Sequence, residues 1–105
     1  MPFHLKIKSD PETGLLLADI DPENSLLKGF LETEIQQDII LLDDLLDRLG
    51  QAPAPHIDLN GNAYNLNTSD GKYTISSLFE DLEEATGPLS EFLSLLQQWR
   101  NFFSF

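Results

Sequence analysis

The sequence predicts one α+β domain: an N-terminal β-hairpin, a long amphipathic helix, a three-stranded antiparallel meander and a C-terminal helix packed on the sheet. Three observations carry this reading. Near the N-terminus Phe3, Leu5 and Ile7 alternate with His4, Lys6 and Lys8, the period of a strand with one buried face. Apolar residues take up helical spacing from Ile35 to Leu49 and again from Leu89 onward. Between those helices, Asn60-Gly61 and Asp70-Gly71, two of the strongest short hairpin signals, separate segments of strand length.

Each element follows in order. After the first strand, Asp10-Pro11-Glu12-Thr13-Gly14 has its proline and glycine spaced for a tight turn, and Leu15 to Ile20 reads as a more deeply buried strand closing a hairpin. Asp21-Pro22 has the form of a helix start, yet Gly29 interrupts it, so this stretch reads as turn or irregular chain. Thr33 and Gln36 form a capping-box pattern, and Ile35, Ile39, Leu42, Leu46 and Leu49 fall on one face of the helix it opens, which Gly50 ends. Ala52-Pro53-Ala54-Pro55 is a short stiff connector. The meander covers His56 to Leu59, Ala63 to Asn67 and Lys72 to Ile75. Ser77 and Glu80 form a second capping box for a short acidic helix stopped by Gly87, and Pro88 restarts a helix running almost to Phe105. On that last helix Leu89, Phe92, Leu93, Leu96, Trp99 and Phe103 form the core face.

At 105 residues the chain is long enough for one core and too short for two, so residues 1–105 are read as a single domain. Hydrophobic residues make up 41% and charged residues 23%, which is globular rather than disordered. With no cysteine there is no disulfide, thiolate metal site or thiol nucleophile. No run approaches the ~18 apolar residues of a membrane span, and the N-terminus lacks a signal-peptide core, so a cytoplasmic location without membrane contact is expected. Eighteen acidic against six basic residues give a formal charge of −12, which repels phosphate backbones and argues against direct nucleic-acid binding.

Motifs with chemical potential are few. Asp43-Asp44-Leu45-Leu46-Asp47 spells an aspartate-rich magnesium-diphosphate pattern, but on this helix it reads as a solvated face. Asp58, Asn60 and Asn62 alternate as in the opening of a calcium loop, whose glycine and final glutamate are replaced by Ala63 and Ser69. His4 and His56 lack partners at metal-ligand spacing, and no nucleophile elbow, phosphate cradle or dinucleotide fingerprint is present. No catalytic, cofactor or metal residues are therefore assigned, and the chain is read as a non-enzyme.

Two surfaces stand out instead. Phe92, Leu95, Trp99 and Phe102 form a second stripe on the last helix: either the helix lies in a groove between the sheet and the first helix and is buried on most sides, or Leu95, Trp99 and Phe102 are candidates for contact with a protein partner or a second copy. The carboxylates Glu32, Glu34, Asp38, Asp43, Asp44 and Asp47 are candidates for an acidic face that mimics nucleic acid toward a basic site.

The order of features resembles the YacL family, small uncharacterised proteins of gammaproteobacteria. Thr13-Gly14, Leu41-Leu42-Asp43-Asp44, the set Gly61, Tyr64, Leu66, Asp70 and Gly71, and finally Glu91-Phe92-Leu93 with Trp99-Arg100-Asn101-Phe102 carry the resemblance. The chain departs from that pattern by one extra residue before Asp70-Gly71 and a shorter acidic segment before the last helix. The resemblance implies a compact acidic bacterial domain and supplies no activity. The expected function is a non-enzymatic protein-interaction or regulatory domain, with an acidic inhibitor or nucleic-acid mimic as the alternative.

Overall fold

Strands β1 (His4–Ser9) and β2 (Leu16–Asp21) pair antiparallel, with Leu5 opposite Ile20 and Ile7 opposite Ala18. The computed structural model describes residues 3–51, 56–79 and 84–103, and the Ala52–Pro55 connector lies outside them. The turn between β1 and β2 is closed by Gly14 N–H donating to the Asp10 carbonyl at 2.8 Å, with Gly14 at φ +74° where a side chain is disfavoured. On β2 only Leu16, Ala18 and Ile20 are buried, while Leu15 and Leu17 are 49% and 39% exposed. The all-apolar run therefore does not form the deeply buried strand expected, because this two-stranded sheet is covered on one face only.

Helix α1 (Ser25–Phe30) occupies the stretch expected to be irregular. Asn24, rather than Asp21, caps it, its Oδ1 accepting from Leu27 N–H at 3.0 Å. Gly29 does not break the helix. It makes room for Tyr64, whose hydroxyl a Cβ at this position would overlap. A π-helical turn, Leu31–Ile35, continues α1 directly, so Thr33 caps nothing. Helix α2 (Ile39–Leu49) starts later than expected, with Asp38 Oδ1 accepting from Leu41 N–H at 3.0 Å. Its buried stripe is Leu42, Leu45 and Leu49, with Leu46 and Ile39 only partly covered.

The expected three-stranded meander has four strands: β3 (Ile57–Asn60), β4 (Tyr64–Ser69), β5 (Lys72–Ser77) and β6 (Glu84–Pro88), antiparallel in that order. Ser77 ends β5 opposite Tyr64, and Glu84 to Pro88 is strand where acidic helix and stop were expected. Residues 80–83 of that expected helix lie outside the described residues. Gly87 sits in β6 because the Tyr73 ring, directly opposite, leaves only 3.2 Å for a Cβ. Helix α3 (Leu89–Asn101) follows Pro88 at once.

One sheet face is apolar, through Leu59, Leu66, Ile75 and Ala85 in one cross-strand row and Ile57, Thr68 and Tyr73 in the next. Against it lie α1 and α3, and α3 also touches β1 and α2. Phe92 stacks on Tyr73 at 5.2 Å and meets Phe30 edge-on at 5.9 Å, joining sheet and helices in one core.

The edges of the hairpin are closed by side chains. On β2, Gln36 Oε1 accepts from Leu16 N–H at 3.0 Å and its Nε2 donates to the Leu16 carbonyl at 2.7 Å, the pattern a neighbouring strand would make. Glu32 Oε2 accepts from Ala18 N–H at 2.7 Å, and Lys28 Nζ, paired with Glu32, donates to the Ala18 carbonyl at 2.9 Å. On β1, Gln98 takes Leu5 N–H and gives to the Phe3 carbonyl. Such cover blocks strand-to-strand pairing with another chain.

Gln36 holds this position at φ 42°, ψ −114°, a region suited to glycine and costing other residues about 1–3 kcal/mol. Gln36→Ala keeps that strain and loses both edge bonds, so urea unfolding should show a loss of about 1–3 kcal/mol. Gln36→Gly loses the bonds but relieves the strain and should be the less damaged of the two. The reverse order would show that the backbone here stores no strain.

Candidate interaction surface

The last helix places its expected contact residues inside the molecule. Leu95 and Trp99 are both 0% exposed, so neither belongs to an interaction surface. The second stripe is core because α2, β1 and the sheet enclose the helix on several sides. Trp99 Nε1 donates to the Gln36 carbonyl at 2.7 Å, which satisfies its one polar atom. Of that stripe only Phe102, just past the helix end and edge-on to Phe103, is exposed, at 46%. Leu93 and Phe103, expected in the core, lie at its margin.

The acidic residues are dispersed among structural tasks. Glu32 holds β2, as above. Glu34, on the π-helical turn, accepts from the N–H groups of Asn62, Ala63 and Tyr64 at 2.8, 2.8 and 3.0 Å, clasping the β3–β4 turn. Asp38 caps α2. Asp43 takes Arg100 Nε at 2.7 Å, tying α2 to α3, and Asp44 takes Arg48 at 3.3 Å. Asp38, Asp43, Asp44 and Asp47 are exposed at or on α2, while Glu32 and Glu34 are half-buried against the chain's own backbone.

The remaining motif residues also have local roles. Asn65 Nδ2 donates to Asp58 Oδ1 at 2.8 Å and Asn60 Oδ1 at 2.7 Å, and the Asn62 backbone belongs to the Glu34 clasp. Among the described residues no group of three or more potential metal-ligating side chains converges. Millimolar magnesium or calcium should therefore leave the melting temperature unchanged apart from screening. A saturable rise, abolished by Asp43→Asn or Asp58→Asn, would contradict this. Burial, and secondarily the Glu91 carboxylate, pushes the Tyr73 phenol up, which keeps it protonated and inert as a base.

What the structure does expose is the open face of the hairpin. His4, Lys6 and Lys8 of β1 stand opposite Asp21, Asp19 and Leu17 of β2, with Leu15 at the end of the same row. Among the described residues Lys6 and Lys8 join no ion pair, whereas Lys28, Arg48 and Arg100 each do. Two open clefts flank this face. One, of about 460 Å³, is lined by Lys8, Leu17, Ile20, Glu23 and Lys28 among others. The other, of about 450 Å³, is lined by His4, Leu5, Lys6, Asp19 and Asp21. The second sets an imidazole near two carboxylates but includes no hydroxyl nucleophile, and His56 is exposed elsewhere on the chain. Sequence reasoning missed this face because Leu15-Leu16-Leu17 reads as fully buried. The signal available was the alternation of β1, whose polar side requires β2 to have an open side too.

Among the described residues no helix is long and apolar enough to cross a membrane. No family model, curated protein or solved structure matches the chain.

Proposed function

We propose that this chain is a non-enzymatic protein-interaction domain, cytoplasmic and bacterial, that binds a protein partner through the open face of its hairpin. One observation carries the reading: Leu15 and Leu17 are exposed side by side with Lys6 and Lys8, which join no ion pair among the described residues, between two clefts. Apolar groups ringed by charge form the usual plan of a contact site. The fitting partner surface inserts apolar side chains at Leu15 and Leu17 and sets carboxylates over Lys6 and Lys8.

The test is capture from the native lysate with the wild type, Leu17→Asp, Lys6→Glu/Lys8→Glu and Asp44→Asn/Asp47→Asn, each over a range of salt. A partner retained at high salt and lost with both hairpin variants supports the reading. A basic partner lost at modest salt, indifferent to the hairpin variants and abolished by the α2 variant, would overturn it in favour of acidic mimicry. Light scattering on the pure protein separates a second copy from a foreign partner. Mimicry is the weaker reading, because Glu32, Glu34 and Asp38 already bind the chain's own backbone.

A further inference from the structure

We propose that Asn60 is a latent deamidation site whose reactivity is gated by the Glu34 clasp. The inference is independent of the partner surface. Asparagine followed by glycine is the dipeptide most open to this chemistry, since no Cβ hinders approach of the next backbone nitrogen to the side chain. Glycine is needed at 61 for a separate reason: a Cβ there would overlap the Glu34 carboxylate that clasps the turn. The clasp thus imposes a reactive sequence, and the same geometry then holds it inert.

The reaction is balanced without any redox step. The Gly61 amide nitrogen gives up its proton and bonds to Asn60 Cγ, the Cγ–Nδ2 bond breaks, and nitrogen leaves as ammonia. Water then opens the cyclic imide at either carbonyl, giving aspartate or isoaspartate at position 60. In the folded chain both reacting groups are held in place by hydrogen bonds. Gly61 N–H donates to the Tyr64 carbonyl at 2.9 Å, and the Asn60 side-chain oxygen accepts from Asn65 Nδ2 at 2.7 Å. Glu34 fixes the three amides that follow. Attack requires the β3–β4 turn to open, so the rate follows the population of that open state. The product matters to the sheet: aspartate adds a charge beside Asp58 on the same face, and isoaspartate lengthens the main chain and shifts the β3–β4 register.

The experiment incubates the whole protein at mildly alkaline pH and follows ammonia release, intact mass and isoaspartate by peptide mapping. Wild type, Glu34→Ala, Glu34→Gln and the core variant Leu42→Ala are compared with a free peptide of the turn sequence. Wild-type Asn60 should react far more slowly than the peptide. Glu34→Ala should speed it by about tenfold or more, the effect of losing charge-assisted bonds that hold the turn shut, with Glu34→Gln between. Asn24, which caps α1 and precedes serine, serves as the reporter of global unfolding. Acceleration at Asn60 alone supports the gate. Wild type reacting as fast as the peptide, no response to Glu34→Ala, or Leu42→Ala accelerating Asn60 as much as Glu34→Ala would overturn it.

Discussion

Leu95→Asp is expected to unfold the domain, and Trp99→Ala to come close to doing so. Both residues are completely buried, and Leu95 lies on the helix that touches β1, α2 and the sheet. An aspartate at 95 places a carboxylate where no cation or donor has been arranged for it, which costs several kcal/mol unless the chain opens. Trp99→Ala removes the largest core side chain and orphans the Gln36 carbonyl, a loss of about 3–5 kcal/mol from a typical total of about 5–15. Phe102→Asp, at an exposed site one turn further on, should change stability by no more than about 0.5 kcal/mol. Circular dichroism with urea titration separates these outcomes. Cooperative unfolding of Leu95→Asp at the wild-type midpoint would show that α3 is not held as described.

The sequence made the α+β class readable because the periodicities of β1, α2 and α3 and the turns at Gly14 and Gly71 are local signals. What it concealed depends on contacts between distant residues. Gly29 looks like a helix breaker until Tyr64 is seen lying over it, and Gly87 looks like a helix stop until Tyr73 is seen across from it. Thr33 and Gln36 match a capping box, yet both are recruited into a turn whose Glu32, Glu34 and Gln36 side chains reach β2 and the β3–β4 turn, so Asp38 becomes the cap instead. The candidate site fared similarly. Helical spacing alone could not tell whether Leu95 and Trp99 face solvent or a third neighbour, and charge alone could not tell a carboxylate that caps backbone amides from one that awaits a partner.

Glu34→Ala is the second large effect expected. The carboxylate accepts from the Asn62, Ala63 and Tyr64 N–H groups, and the last two of these bonds are partly buried. Charge-assisted bonds of this kind are worth about 1.5–3 kcal/mol, and donors left without acceptors add to the loss, so thermal or urea unfolding should show about 2–4 kcal/mol. The damage should reach α1, since the clasp holds the backbone of Tyr64, the residue that covers Gly29. A double-mutant cycle makes the mechanism specific. Gly61→Ala should destabilise the wild type, because the new Cβ displaces the Glu34 carboxylate from its three donors. In the Glu34→Ala background the same substitution meets no carboxylate, and its cost should shrink by about 1 kcal/mol or more, as coupled neighbours do. Equal costs in both backgrounds would mean that Gly61 is required for some other reason and that the clasp does not bear on the turn.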